Sequence, residues 1–419
     1  MKFRRPVFIV GGAHTPYIGK GHPNFISKRH PDFGKRENPS VEDHIKEVIL
    51  GVLDSTGVDP KLIDRGYIGN FLGELFSKQG LLGGAVAAAH PDLAGKPFVR
   101  TEAACASGAA AVTSCIDSIM AGLDVTLAIG AEVECNVRGA DGAEYMARAC
   151  DYRRERGLDE YVFPYLFAQR GKAYKEAFGA EDDDLGRVLV KAYENANLNP
   201  YAQMHHTKMT LEDTRVSEDN RYFLDDEDLK PHIRLNDCTH FTDGASAIIL
   251  ASEEGLEKLG IKKWQCTEIE SYGAATNPID EDADPTKLVT VQAAANIAYA
   301  EAKRRPEEIH VAEVHDCFSI TELQMYEALG FSEPGKGYTL VRGGETSRGG
   351  RIPVNTGGGL LAFGHPVGAS GVKQLYEIFR QMKGLCGEYQ LQRQPDIGLS
   401  ANMGGNDRMG IVMIHKNHY

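Results

Sequence analysis

Cys105 stands among residues too small to crowd it: Ala103-Ala104-Cys105-Ala106-Ser107-Gly108-Ala109-Ala110-Ala111-Val112. The run reads as a strand that ends, then a helix of tiny residues that begins at the cysteine. Backbone N–H groups at a helix N-terminus favour a thiolate, so Cys105 is a candidate nucleophile. Ala106 and Gly108 leave room beside it for an acyl chain. The competing reading is an inert buried thiol, the usual state of a free cysteine. Near the other end, Asn355-Thr356-Gly357-Gly358-Gly359-Leu360-Leu361-Ala362-Phe363-Gly364-His365-Pro366 sets one histidine in a glycine-rich loop before a helix. A histidine fixed this way can take a proton from a thiol or donate N–H to a carbonyl oxygen. Such a loop also suits a phosphate, with His365 incidental. No Gly-Lys-Ser/Thr ending supports a P-loop.

Two further stretches carry chemistry. In Glu313-Val314-His315-Asp316-Cys317-Phe318-Ser319, an extended backbone would turn His315 and Cys317 to the same side, because side chains alternate with period two. Core packing is the alternative. No metal is expected, since His-x-Cys alone lacks the remaining ligands. In Ser400-Ala401-Asn402-Met403-Gly404-Gly405-Asn406-Asp407, a strand runs into glycines whose bare N–H groups could face an oxyanion. Alone, that stretch reads equally well as a tight turn.

The elements around these residues alternate strand and helix. Residues 7–10 read as a strand ending at a Gly11-Gly12 turn. Residues 41–56 carry Ile45, Val48, Ile49, Val52 and Leu53 at helical spacing and stop at Gly57. Strands are predicted at 65–68, 98–101 and 125–130, with helices over 80–89 and from Cys105 to about residue 121. Between about 132 and 229 the chain becomes rich in charge and tyrosine, which predicts an inserted lobe of amphipathic helices with solvated charge runs. Thr242-Asp243-Gly244 reads as a turn. Further strands are predicted at 268–272, 311–314, 398–402 and 411–415. This is an α/β layered class with two similar lobes.

Bulk properties narrow the function. The 419 residues exceed a typical single domain. A net charge of −13 speaks against non-specific nucleic-acid binding, which needs a basic stripe. No run approaches the ~18 apolar residues of a membrane span, and the short apolar start is not a secretory signal. The C-terminal His415-Lys416-Asn417-His418-Tyr419 is no peroxisomal address. Eight cysteines without a CxxC pair suggest free thiols in a reducing compartment, hence a cytoplasmic location.

Taken together, the order Cys105-Ala106-Ser107-Gly108, His315-Asp316-Cys317-Phe318, Gly364-His365-Pro366 and a glycine-rich last turn resembles the thiolase superfamily. Ala13-His14-Thr15-Pro16-Tyr17 and Thr242-Asp243-Gly244-Ala245 are similar to further family motifs, and the resemblance spans essentially the whole chain. Many thiolases have Asn-Glu-Ala-Phe where this chain has His315-Asp316-Cys317-Phe318, and a second cysteine where Asn402 stands. The His-Asp-Cys-Phe form resembles the sterol-carrier-protein-2 type thiolases, and in that subgroup this cysteine takes the acid/base role.

The resemblance implies a thiolase fold: two βαβαβαββ halves, residues 1–255 and 256–419, layered αβαβα. An inserted loop lobe over about 131–232 would cover the coenzyme A site. It implies reversible thiolytic cleavage or Claisen condensation of 3-oxoacyl-CoA by an acetyl-CoA acetyltransferase-like enzyme. Cys105 would be the acylated nucleophile, His365 its base and Cys317 the α-proton acceptor. His365 and His315 would hold the enolate, and the N–H groups of Cys105 and Gly404 the tetrahedral oxyanion. Coenzyme A and acyl-CoA enter as substrates; no cofactor or metal is expected. A homodimer or homotetramer pairing through residues 97–102 is expected, with a small zinc-ribbon/OB-fold partner as a further option. Three rivals share parts of the pattern. A decarboxylating ketosynthase would not explain Cys317, a partner-dependent carbon–carbon lyase tends to lose the thiolase cysteines, and a non-catalytic thiolase-fold subunit would need none of them.

Overall fold

The computed structural model describes residues 3–419. In chain order the first half holds β1 (Val7–His14), β2 (Ile18–Gly19), α1 (Val41–Thr56), β3 (Arg65–Gly69), α2 (Gly73–Phe76), α3 (Leu82–Ala88), β4 (Phe98–Thr101), α4 (Ser107–Met120) and β5 (Val125–Glu132). Four helices follow: α5 (Gly139–Met146), α6 (Tyr152–Glu155), α7 (Val162–Phe178) and α8 (Asp182–Ala196). Then come β6 (Thr242–Ala251) and α9 (Glu253–Leu259). The second half holds β7 (Thr267–Thr276), α10 (Val289–Ala302), β8 (Val311–Glu313), α11 (Ser319–Ala328), α12 (Gly337–Arg342), α13 (Ser370–Lys383), β9 (Ile397–Gly404) and β10 (Met409–Asn417).

The strand order is β4-β3-β5-β6-β1-β7-β10-β9-β8, with β2 paired only to β6. Outward from the centre, the halves correspond. β1, β6, β5, β3 and β4 run one way; β7, β10, β9 and β8 run the other, and Val354 bridges Ala312 where a fifth strand would lie. Pairing is parallel between β3 and its neighbours β4 and β5, and between β8 and β9. The halves join where Val7, Phe8 and Ile9 face Ile269, Glu268 and Thr267.

The layers follow from the period-two alternation of the strands. Phe8 and Val10 point to an outer core with Ile45, Ile49 and Val52 of α1. Val7 and Ile9 point to a central core with Val112 and Ile116 of α4 and Val372 and Leu375 of α13. A strand buried on both faces reads as the unbroken apolar run seen at 7–10. On the far side, Val291, Ala294 and Ala298 of α10 pack on Leu399, Val412 and Ile414. The result is helix, sheet, helix, sheet, helix. The small residues of α4 set the central spacing: a Cβ on Gly371 of α13 would stand 2.2 Å from the Ala109 nitrogen. Large side chains there would force the two central helices apart.

Two expected turns are strand instead. Gly11 and Gly12 continue β1 opposite Ile249 and Ile248, past a bulge after Ile9. A glycine inside a strand often marks a bulge or a close approach rather than a turn. Thr242, Asp243 and Gly244 open β6, and the Asp243 carboxylate accepts N–H bonds from Glu134 (2.6 Å) and Cys135 (2.8 Å). α7 and α8 arise between β5 and β6 of the first half but pack on the second: Leu185, Val188 and Leu189 share a core with Leu323, Tyr326 and Leu329.

Candidate active site

Cys105 lies in the turn between β4 and α4, one residue before the helix cap Ala106. The Ser107 hydroxyl donates to the Ala104 carbonyl at 2.6 Å and accepts from the Ala103 N–H at 2.9 Å. Ala104 has φ +50°, a left-handed conformation that costs a side-chain-bearing residue about 1–2 kcal/mol. The strained turn lifts Cys105 out of both strand and helix, and the residue stays only partly buried. Desolvation, then the nearby Glu134 carboxyl, push its thiol up to about 12, against a Gly405 N–H that bonds the sulfur. The expectation of a thiol activated by the helix end is therefore outweighed by burial, and the resting group is a thiol that needs a base. Gly405 can reach it because Gly404 has no side chain: a Cβ on Gly404 would stand 2.4 Å from the Ala103 carbonyl oxygen.

His365 follows the glycine-rich loop and precedes α13. Its backbone N–H donates to the Thr242 hydroxyl at 3.0 Å, and the Val367 N–H donates to Glu134 at 2.8 Å. Its Nδ1 is 2.6 Å from the Ser370 hydroxyl oxygen, which lies 3.2 Å from the Pro366 carbonyl. With the serine hydrogen on that carbonyl, Nδ1 carries the imidazole proton and Nε2 offers a lone pair. Burial, then the charge of Lys373, hold the ring down at about 3, so it is neutral at physiological pH.

His315 has the complementary form. Gln374 Nε2 donates to the Ala401 carbonyl (3.1 Å), which turns its Oε1 toward Asn402. Asn402 Nδ2 donates to that oxygen (2.9 Å) and to His315 Nδ1 (3.0 Å). Nδ1 is thus an acceptor and Nε2 carries the proton. That Nε2 is buried and has no partner among the described residues. Burial, then the neighbouring His365, keep His315 well below its ordinary range, so it too is neutral.

The His315 and His365 rings stand 5.1 Å apart at 85°, and the Cys105 sulfur and one nitrogen of each ring lie within 4.8 Å of one another. By donor type these three atoms could ligate zinc. The backbone after β8 alternates as its extended reading requires. Asp316 faces backwards and accepts the N–H groups of Leu360 (2.7 Å) and Leu361 (3.4 Å), clamping the loop that leads to His365. Cys317 faces forwards, is buried, and has Thr321 Oγ1 at 3.9 Å. Burial, then the closeness of Cys105, raise its thiol well above the ordinary range. The five residues singled out from sequence, Cys105, His315, Cys317, His365 and Gly404, therefore meet at one place. Sequence reasoning assigned no role to Gln374, Ser370 or Gly405. Gln374 and Gly405 act through bonds made between separate elements, which spacing does not reveal, whereas Ser370 stands only five residues after the histidine it bonds.

Comparison with known proteins agrees with this geometry. A family profile described as Thiolase, N-terminal domain, matches residues 29–254, and one described as Thiolase C-terminal domain-like matches residues 271–417. An acetyl-CoA acetyltransferase of Methanothermobacter thermautotrophicus is 34% identical over 378 residues, covering 90% of this chain and 94% of that protein. A sterol carrier protein 2 of Oryctolagus cuniculus is 31% identical over 74% of this chain and 57% of that one. A solved structure described as Ltp2-ChsH2(DUF35) aldolase superposes with a TM-score of 0.75 at 20% identity over 97% of both chains, a likeness of fold. With both profiles matched and a relative this similar along nine-tenths of its length, the chain belongs to the thiolase family.

Proposed function

We propose that this acyltransferase of the thiolase family interconverts acetyl-CoA and 3-oxoacyl-CoA through an acyl group on Cys105. The observation that carries the reading is the meeting of two thiols with two histidines of opposite hydrogen-bonding character. His365 Nε2 takes the Cys105 proton as the sulfur attacks the thioester carbonyl, and the departing coenzyme A sulfur takes the Cys317 proton, which leaves Cys317 a thiolate. The Cys105 N–H and the Gly404–Gly405 turn face the oxyanion of that step; such a donor is worth about 10²–10³ in rate. A second acyl-CoA then loses an α-proton to Cys317, and the enolate oxygen receives the free Nε2–H of His315. The enolate carbon attacks the acyl-Cys105 carbonyl, and the Cys105 sulfur leaves and takes its proton back from His365. Cleavage runs the same steps in reverse.

Both thiols weigh against a decarboxylating condensing enzyme and against the lyase reading, neither of which uses a cysteine at 317. The proposal extends to a homodimer, to coenzyme A as co-substrate without a further cofactor, and to a cytoplasmic location. It extends also to a small DUF35-like partner, since the name of the aldolase neighbour joins such a component to its thiolase-fold chain. Among the described residues no helix is long and apolar enough to cross a membrane. The test is coenzyme A-dependent cleavage of acetoacetyl-CoA and of a longer 3-oxoacyl-CoA. Turnover supports the reading and ranks chain length. Inactivity on both, alone and with a co-expressed DUF35 protein, would overturn it.

A further inference from the structure

Three donor atoms of the kind zinc favours meet in the cleft from distant parts of the chain. Cys105 Sγ and one ring nitrogen each of His315 and His365 lie within 4.8 Å of one another. Among the described residues no other three histidine, cysteine or carboxylate groups come together in this way. Along the sequence His315 has only Cys317 near it, and that pair carries too few ligands. The fold supplies the remaining ones from the turn before α4 and the loop before α13. Bonds of about 2.0–2.3 Å set the donors of a tetrahedral zinc about 3.4–3.6 Å apart, so no pair has to close by more than about 1.4 Å. Cys105 can supply that closure, because it lies outside strand and helix and is only partly buried.

A ligating histidine presents one nitrogen to the metal and spends the other on a hydrogen bond that fixes the ring. His365 is already in that form: its Nδ1 is 2.6 Å from the Ser370 hydroxyl oxygen, and its Nε2 offers a lone pair. His315 Nε2 is buried without a partner among the described residues, the kind of orphan that a bound ion explains. To ligate, His315 shifts its proton from Nε2 to Nδ1. Asn402 then turns its amide so that Oδ1, also buried and unpartnered among the described residues, accepts that proton. The turn gives up the 2.9 Å bond from Asn402 to Gln374. This cost weakens the site without closing it, and it keeps the ion removable.

We propose that the cleft is also a reversible inhibitory site for Zn²⁺, bound through Cys105 Sγ and the Nε2 atoms of His315 and His365, with a fourth position left to water. Cys105 releases its proton to solvent on binding, so a thiolate, two neutral imidazoles and the dication leave one positive charge at the site. The ion occupies the sulfur of the nucleophile and the lone pair of its base together, which stops acylation. The inhibition rests on the reading of Cys105 as the acyl carrier; the metal site does not.

The experiment titrates the full chain, freed of metal by chelation, with Co²⁺ and then with Zn²⁺. Cobalt should give the intense visible bands of four-coordination and a sulfur-to-cobalt charge-transfer band, and zinc should bleach both. Cys105→Ala, His315→Ala and His365→Ala should each weaken zinc about 100-fold or more, and Ser370→Ala, which removes only an outer partner, about tenfold. Thiolysis of acetoacetyl-CoA by the wild type should fall in step with zinc occupancy and return with EDTA. Should an alanine variant fail to fold, protection of wild-type Cys105 from iodoacetamide by zinc, resolved by peptide mass spectrometry, assigns the sulfur instead. Pale six-coordinate cobalt in the wild type, a sulfur band that survives in Cys105→Ala, or Cys105 labelled as fast with zinc as without it would overturn the proposal. A sulfur band from Cys105 with thiolysis undiminished at full occupancy would overturn the inhibition and the reading of Cys105 as acyl carrier, while the metal site stood.

Discussion

The two halves of the molecule present corresponding strand ends to one cleft, and they furnish them differently. In the first half, the end of β3 is locked by a carboxylate: Glu132 accepts the N–H groups of Phe71 (2.8 Å) and Leu72 (3.1 Å). In the second, Asp316 does the like for Leu360 and Leu361, but the residues on either side of it, His315 and Cys317, face the cleft. After β4 the first half makes one strained turn that carries Cys105. After Val354, its counterpart, the second half makes a long glycine-rich loop that ends in His365. On the proposed reading one half supplies the nucleophile and the other supplies the groups that move protons. A duplicated frame positions both sets within a few ångströms without either loop having to be long-range ordered by itself.

The sharpest break of that comparison is to empty each half in turn. Cys105→Ala should lower thiolysis by about 10⁴-fold or more, as loss of a covalent nucleophile does elsewhere. Cys317→Ala should lower condensation by about 10³-fold while Cys105 still accepts an acyl group, read by single-turnover kinetics. Next in size, Gly404→Ala places a methyl against the Ala103 carbonyl and displaces the Gly405 N–H, and should cost about 10²-fold in acylation rate. Asp316→Ala leaves two buried N–H groups without an acceptor and should lower stability in denaturant titration by about 1–3 kcal/mol. The last effect is one of pH. Since burial and Glu134 raise the Cys105 thiol to about 12, its iodoacetamide labelling in the free enzyme should climb about tenfold per pH unit from 7 to 10. A plateau at neutral pH would mean a preformed thiolate.

Much of this was legible in the residues. The period of Ile45, Val48, Ile49 and Val52 matches α1, whose expected bounds coincide with Val41–Thr56. The alternation around Asp316 placed His315 and Cys317 on one side. The small residues of α4 pointed to a central helix. Glycine was the ambiguous letter. At Gly11 and Gly244 it marks strand positions pressed against neighbours, a reason that only three dimensions supply. Electrostatics were the least legible. The helix end at Cys105 suggested a lowered thiol, yet desolvation, which depends on everything packed around the sulfur, has the opposite sign and prevails.

The central claim is that Cys105 carries the acyl group while Cys317 moves the proton. Intact-protein mass spectrometry after brief exposure to acetoacetyl-CoA tests it most directly, on wild type, Cys105→Ala and Cys317→Ala. An acetyl adduct that maps to Cys105 is expected in the wild type and, with acetyl-CoA in place of acetoacetyl-CoA, in Cys317→Ala; no adduct is expected in Cys105→Ala. An adduct that persists in Cys105→Ala, or one that maps to Cys317 in the wild type, would contradict it.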